Sequence, residues 1–172
     1  MKRTISATVN NSSGVLNRIT GLFSRRQFNI ESITVGMTEN PEVSRMTFVV
    51  NVDSQRGLDQ VIKQLNKQVD VLKVRDISEE NIVARELALI KVVANPQTRG
   101  EIETLARPFR ASIIDVGRES MTLQVTGDHQ KVEAFIDLIK PYGLKELART
   151  GTTALKRSSK IHSQDLHYSF IQ

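Results

Sequence analysis

Apolar residues along the chain switch between a period of two and a period near 3.6, and the switches come in the same order twice. Ile5, Ala7 and Val9 alternate with polar neighbours, which predicts a strand over residues 4–9. The Asn10-Asn11-Ser12-Ser13-Gly14 stretch is a turn carrying good helix-capping residues. Val15, Leu16, Ile19, Leu22 and Phe23 then recur at helical spacing through about residue 26. Ile30, Ile33 and Val35 predict a strand over 29–36, and Met46, Phe48, Val49, Val50 and Val52 another over 45–52. Asp53-Ser54 opens a helix whose apolar positions are Leu58, Val61, Ile62 and Leu65, and residues 69–77 form a further strand.

That order is β-α-β-β-α-β. Right-handed crossovers fold it into a four-stranded antiparallel sheet with two helices on one face, the ferredoxin-like arrangement. Polar, acidic residues 78–81 mark a linker, taken as 78–84, and the pattern then restarts. Strands are expected over 87–93, 112–117, 120–127 and 144–148. One helix carries Ile102, Leu105, Ala106 and Phe109 after the Asn95-to-Thr98 turn, and another carries Val132, Phe135, Ile136 and Ile139 after Asp128, stopping at Pro141. The halves also match in residues: Met46-Thr47-Phe48-Val49-Val50-Asn51-Val52-Asp53 parallels Met121-Thr122-Leu123-Gln124-Val125-Thr126-Gly127-Asp128, and Ile33-Thr34-Val35-Gly36 parallels Ile114-Asp115-Val116-Gly117. The expected fold is α+β: two consecutive ferredoxin-like βαββαβ domains, 1–77 and 85–157, then a tail, 158–172, that is mobile or orders on a partner.

Composition narrows the chemistry. With 39% hydrophobic and 25% charged residues the chain can bury a core. It has no cysteine, which excludes disulfides and thiolate chemistry. Apolar runs such as Phe48-Val49-Val50 are far shorter than a membrane span of roughly 20 residues, and the basic start precedes no apolar stretch, so the expected location is the cytoplasm, without membrane contact. A net charge of +5 spread along the chain reads as solubility. The three histidines, His129, His162 and His167, form no metal-binding pair at helical spacing, and no metal site is expected. No nucleophile elbow, phosphate-binding loop or dinucleotide fingerprint is present, and no acid, base and nucleophile assemble. No catalytic residue is therefore assigned. An RNA-recognition module shares the element order but stacks bases on strand aromatics. Here residues 45–52 carry only Phe48 and 120–127 none, so no nucleic acid is expected.

The informative stretch is Asn11-Ser12-Ser13-Gly14-Val15-Leu16, where a polar turn meets a helix N-terminus. The first helical amides lack intrahelical partners and carry about half a positive charge, which suits a carboxylate or phosphate. Gly14 lets a ligand approach the backbone, Val15 and Leu16 place aliphatic carbon beside the anion, and Asn11 both donates and accepts. An ordinary capped helix fits the same residues.

Asn11-Ser12-Ser13-Gly14-Val15-Leu16-Asn17-Arg18-Ile19-Thr20-Gly21-Leu22-Phe23-Ser24-Arg25-Arg26, with Phe28-Asn29-Ile30-Glu31-Ser32-Ile33-Thr34-Val35-Gly36, resembles the ACT domain of the small regulatory subunits of acetolactate synthase, or acetohydroxyacid synthase. Ser44-Arg45-Met46-Thr47, Arg85-Glu86-Leu87 and Ala148-Arg149-Thr150-Gly151 carry the likeness on to about residue 157. Two departures stand out. Ser13 replaces a frequent proline, and Gln27 replaces a frequent glycine, so that turn either avoids positive φ or tolerates it. The resemblance implies that the first domain is an ACT domain that pairs as a homodimer and binds valine or a related branched-chain amino acid at the interface. Asn11, Ser12, Ser13, Gly14, Val15 and Leu16 would hold the ligand's charged ends, and Asn29 and Ile30 of the neighbouring protomer would complete the pocket. It implies a catalytic large subunit as partner, activated by this chain and inhibited through it by valine. Thiamine diphosphate, magnesium and FAD would belong to that partner. An ACT sensor serving another enzyme, or acting as a repressor, is the rival within the same fold.

Overall fold

A computed structural model describes residues 1–25 and 27–158. The first half runs β1 (Lys2–Asn10), α1 (Val15–Arg25), β2 (Asn29–Met37), β3 (Val43–Asn51), α2 (Gln55–Asn66) and β4 (Val71–Asp76). These strands form one antiparallel sheet in the order β2-β3-β1-β4. The second half runs β5 (Ile82–Val93), α3 (Arg99–Ala106), β6 (Ser112–Val116), β7 (Ser120–Gly127), α4 (His129–Ile139), β8 (Leu144–Arg149) and β9 (Thr153–Lys156). Its sheet is ordered β6-β7-β5-β8, with β9 paired to the start of β5. Both sheets have the ferredoxin-like topology expected from the sequence.

Each sheet buries one face under its two helices. In the first, Ile5, Ala7, Val9, Met46, Phe48 and Val50 pack against Val15, Ile19 and Phe23 of α1 and Leu58, Val61 and Leu65 of α2. The Phe23 and Phe48 rings lie 5.1 Å apart, tilted by 30°. In the second, Ala88, Ile90, Val92, Leu123 and Val125 meet Ile102 of α3 and Val132, Phe135, Ile136 and Ile139 of α4. Ser54 Oγ accepts from the Gly57 amide at the start of α2, and Asp128 does the same for Lys131 at the start of α4, as their positions ahead of the apolar runs predict. The helix expected through Phe109 ends as a 3-10 turn over Arg107–Phe109, and Pro141 sits in another, Lys140–Tyr142.

Four details correct the reading from sequence. The linker taken as 78–84 is shorter, because β5 begins at Ile82, where residues Ile82 to Arg85 pair with Lys156 to Thr153. The last strand expected, over 144–148, is not the last observed, since β9 follows it. The internal repeat slips by one residue at a β-bulge: Ile33 faces Phe48, but Ile113, not Ile114, faces the equivalent Leu123. Gln27 does adopt positive φ, +57°, in the turn into β2. Of the expected tail 158–172, all but Ser158 lies outside the described residues, as do His162 and His167. No described helix is long and apolar enough to cross a membrane.

Candidate functional site

The turn between β1 and α1 is exposed over Asn11, Ser12, Ser13 and Gly14. It leans on the β2–β3 turn, where the Asn11 amide donates to Glu42 O at 2.6 Å and Asn11 Nδ2 donates to Pro41 O at 2.9 Å. The Asn11 side chain therefore keeps its carbonyl oxygen for other partners and has committed a donor. Gly14 holds φ at +81°, a conformation a glycine adopts without steric cost. Because the residue preceding α1 has no side chain, α1 starts without the cap that Ser54 and Asp128 supply to α2 and α4. Its first turn also has no acidic residue, whereas α3 carries Glu101 there. The positive end of the α1 dipole is left to whatever anion arrives.

Arg18, one turn further on, was not read from the sequence as part of this site. Its guanidinium is held by Asp70, with Nε 2.8 Å and Nη2 2.7 Å from Oδ2, and Nη1 would stand 2.9 Å from a Cβ added at Gly14. The i, i+4 spacing from Gly14 was the available signal. Val15 departs from its expected role: its side chain is buried in the first core, so only its amide faces the turn, while Leu16 is exposed.

Asn29 and Ile30 open β2. Asn29 is exposed and pairs with Asn51; Ile30 is half-buried against the first core. Lys2 also pairs with Asn51, whereas Asn10 pairs with Val43 at the far end of the same strand. The two parts of the expected pocket thus lie at opposite ends of one sheet, a strand length apart, roughly 26–30 Å for nine residues. A single chain does not bring them together. β2 is an edge strand, and its outer half exposes Val35 and Met37.

A second polar constellation lies between the sheets and was not foreseen. Glu86 on β5 is buried; Arg149 Nε of β8 donates to its Oε1 at 2.5 Å, and His129 Nδ1 lies 3.4 Å from its Oε2. Burial pushes the Glu86 carboxyl up, but the Arg149 hydrogen bond and charge, aided by His129, outweigh it and hold the group below its ordinary value. Arg149 also meets Glu133 at 2.5 Å, and the two carboxylates hold its guanidinium above its ordinary value. From the first sheet, Lys2 Nζ reaches His129 Nε2 at 3.3 Å and Glu31 Oε2 at 2.6 Å, a bond that depresses the Glu31 carboxyl. The sequence signal was an acid on core parity: Glu86 shares its strand face with Ala88, Ile90 and Val92.

Phe48, the single aromatic of β3, points into the core and offers no stacking surface. Among the described residues, no three His, Cys, Asp or Glu side chains are placed to hold a metal ion.

Comparison with known proteins places these elements. Residues 5–73 match the AHAS small subunit-like ACT domain, and residues 85–158 match the family described as small subunit of acetolactate synthase. The chain is 62% identical to the acetolactate synthase small subunit of Bacillus subtilis, over 93% of each chain. It is 56% identical to the probable acetolactate synthase small subunit of Archaeoglobus fulgidus, over 93% of this chain and 99% of that one. The crystal structure of the Thermotoga maritima acetolactate synthase small subunit superposes with a TM-score of 0.84 at 42% identity, covering 93% of this chain and 99% of that one. With both halves of its length and its doubled fold matched in order, the chain belongs to the acetolactate synthase small subunit family.

Proposed function

We propose that this chain is a non-catalytic regulatory subunit that binds valine between two copies of its ACT domain and so activates, and feedback-inhibits, the catalytic subunit of acetolactate synthase. The observation that carries the reading is the state of the α1 N-terminus. It has a glycine where α2 and α4 have a capping side chain, no acid in its first turn, and Arg18 alongside. A carboxylate there is worth about 0.3–1 kcal/mol, rising to about 2 where partly buried. An aliphatic side chain buried beside it adds about 1.5–3 kcal/mol. Asn11, through its free carbonyl oxygen, is the group for the ammonium end, with Ser12 and Ser13 hydroxyls beside it and Leu16 supplying the apolar contact.

The opposite-end placement of Asn29 and Ile30 supports a homodimer. Two β2 edges laid antiparallel about a twofold would bring Asn29 and Ile30 of the partner toward the end where residues 11–16 lie. Val35 and Met37 would be covered by the same pairing. Thiamine diphosphate, magnesium and FAD are assigned to the catalytic chain. An enzyme inhibited by an amino acid that is neither its substrate nor its product is served by a site apart from its chemistry, and residues 11–16 and 29–30 are that site in this reading.

Calorimetry of valine binding, with activity of the reconstituted complex, tests the reading. Gly14→Asp puts a side chain and a negative charge where the ligand's own carboxylate would sit, on a backbone held at φ +81° beside Arg18. Asn29→His fills the other wall. Each variant is expected to keep activating the catalytic subunit and to bind valine at least tenfold more weakly, a loss of about 1.4 kcal/mol. Wild-type affinity and inhibition in both variants would place the site elsewhere.

A further inference from the structure

Few polar bonds join the two sheets. Thr34 Oγ1 donates to Thr152 O at 3.0 Å, and Lys2 Nζ meets His129 Nε2 at 3.3 Å. The second belongs to a longer chain. Lys2 also holds Glu31 Oε2 at 2.6 Å, and Asn51 Nδ2 donates to Glu31 Oε1 at 2.6 Å. Beyond His129 stand Glu86 Oε2 at 3.4 Å and Arg149 Nη2 at 3.3 Å from Nδ1, with Glu133 Oε1 3.9 Å from Nε2. Lys2 and Arg149 both only donate, so Nε2 faces one donor while Nδ1 stands between a donor and the Glu86 carboxylate. These groups line a cavity of about 1020 Å³ between the sheets.

The first link of the chain is Glu31, the residue after Ile30. The ladder to β3 shifts register between Ile30 and Ser32, so Glu31 is the bulged residue. Its direction is set by the bulge, the part of β2 least fixed by the ladder. Lys2 has two partners within reach, Glu31 at 2.6 Å and His129 at 3.3 Å, so losing the longer contact would leave it on Glu31 alone.

We propose that the Glu31–Lys2–His129–Glu86 chain positions the second domain in response to a ligand at Asn29 and Ile30, making Lys2 and His129 the residues that couple effector occupancy to the rest of the molecule. This rests on the reading of residues 11–16 and 29–30 as the effector site. Glu31 is the point where the two meet: a ligand pressing on Ile30 moves the bulge, the bulge moves the carboxylate that holds Lys2, and Lys2 keeps or releases α4. A link of this kind transmits only the difference in free energy between its two arrangements.

The test uses Lys2→Met, His129→Phe and the double variant, each assembled with the catalytic subunit. Both side chains are 44% exposed, so neither change opens a core. Valine affinity of the small subunit, measured by calorimetry, is expected to stay within about twofold of wild type, while the valine concentration that half-inhibits the complex rises about fivefold to tenfold. The double variant is expected to match the singles in its effect on inhibition, because all three cut the Lys2–His129 contact that joins the two halves of the chain of bonds. Inhibition curves that superpose on wild type, or a double variant that sums the two singles, would overturn the link. Nitrogen-15 spectra of the His129 ring provide a second readout that needs no effector: the Nε2 signal is expected to shift in Lys2→Met, which removes the donor 3.3 Å away, while Glu86 and Arg149 remain at Nδ1. An unchanged Nε2 signal refutes the link even where valine binds, whereas absence of valine heat in the wild type refutes the effector site and leaves the Nε2 result standing.

Discussion

Replacing Arg149 by methionine keeps much of the aliphatic stem and removes the charge that accompanies a buried carboxylate. The Glu86 side chain is 3% exposed, and Arg149 Nε is its nearest cation at 2.5 Å. Removing one partner of a buried pair typically costs about 3–5 kcal/mol. His129 Nδ1 stays beside Glu86, and the pair borders a water-accessible cavity, so the cost is expected near the lower bound, about 3 kcal/mol at neutral pH. The lost contact to the more exposed Glu133 adds at most about 1 kcal/mol. The pH dependence is the sharper part. In the wild type the Glu86 carboxyl is depressed, so its stabilisation is complete above the ordinary carboxylate pKa and is lost as pH falls through the lowered folded value. Burial is already the largest single influence on the group; without Arg149 it is no longer outweighed and carries the carboxyl above its ordinary value. Its favourable contribution is then present below the unfolded pKa and disappears as pH rises through the folded one. Urea denaturation followed by circular dichroism, from about pH 7.5 down to about pH 4, should therefore show the deficit of Arg149→Met shrinking as the solution is acidified. Glu86→Gln in the same background should recover much of the loss and flatten the pH dependence. A deficit that is below about 1 kcal/mol, or constant across that range, would refute the account of Glu86 as a buried carboxylate held by Arg149.

Gln27→Gly should stabilise the first domain by roughly 0.5–1 kcal/mol in the same denaturation assay: a left-handed backbone costs an L-residue about 1–2 kcal/mol, and the extra unfolded-state freedom of glycine returns part of that. Phe48→Ala empties the contact with Phe23 in the first core and should cost about 3–5 kcal/mol, read as a lowered urea midpoint with unchanged slope.

The element order was legible because it rests on local signals. Strand β1 alternates, β3 is a dense apolar run, each helix repeats at 3.6, and the changes of pattern are punctuated by Asn11–Gly14, Asn40-Pro41, Ser54 and Asp128. What escaped was set by partners far along the chain. Thr153 to Lys156 offers only Ala154 as a buried residue, and it becomes a strand because Ile82 to Arg85 lies alongside, some seventy residues earlier. The short linker and the added strand are therefore one effect seen twice. The bulge at Ile114 was hidden for a related reason: the Asp115-Val116-Gly117 match with Thr34-Val35-Gly36 is correct in register, and a single extra residue before it carries no mark of its own.

The candidate site divides along the same line. The exposed α1 end was readable, because a glycine ahead of an apolar helical run without acids is a local pattern. The expectation of a two-chain pocket came from the resemblance, and the strand register shows that residues 11–16 and 29–30 lie at opposite ends of the sheet within one chain. The doubled fold sharpens this. In the second domain the corresponding turn is closed on itself: Asn95 Oδ1 accepts from the amides of Gln97 and Thr98, both at 2.9 Å, and Glu101 supplies the negative charge the α3 end attracts. Two copies of one topology have thus been given different turns ahead of their first helices, one closed by Asn95 and followed by an acid, the other exposed and followed by none. The second domain has instead spent its buried charge on Glu86 and Arg149, at the end of its sheet that faces Lys2. A fold that repeats its architecture but not its polar groups is suited to a division of labour, in which one half receives a small anion and the other half responds.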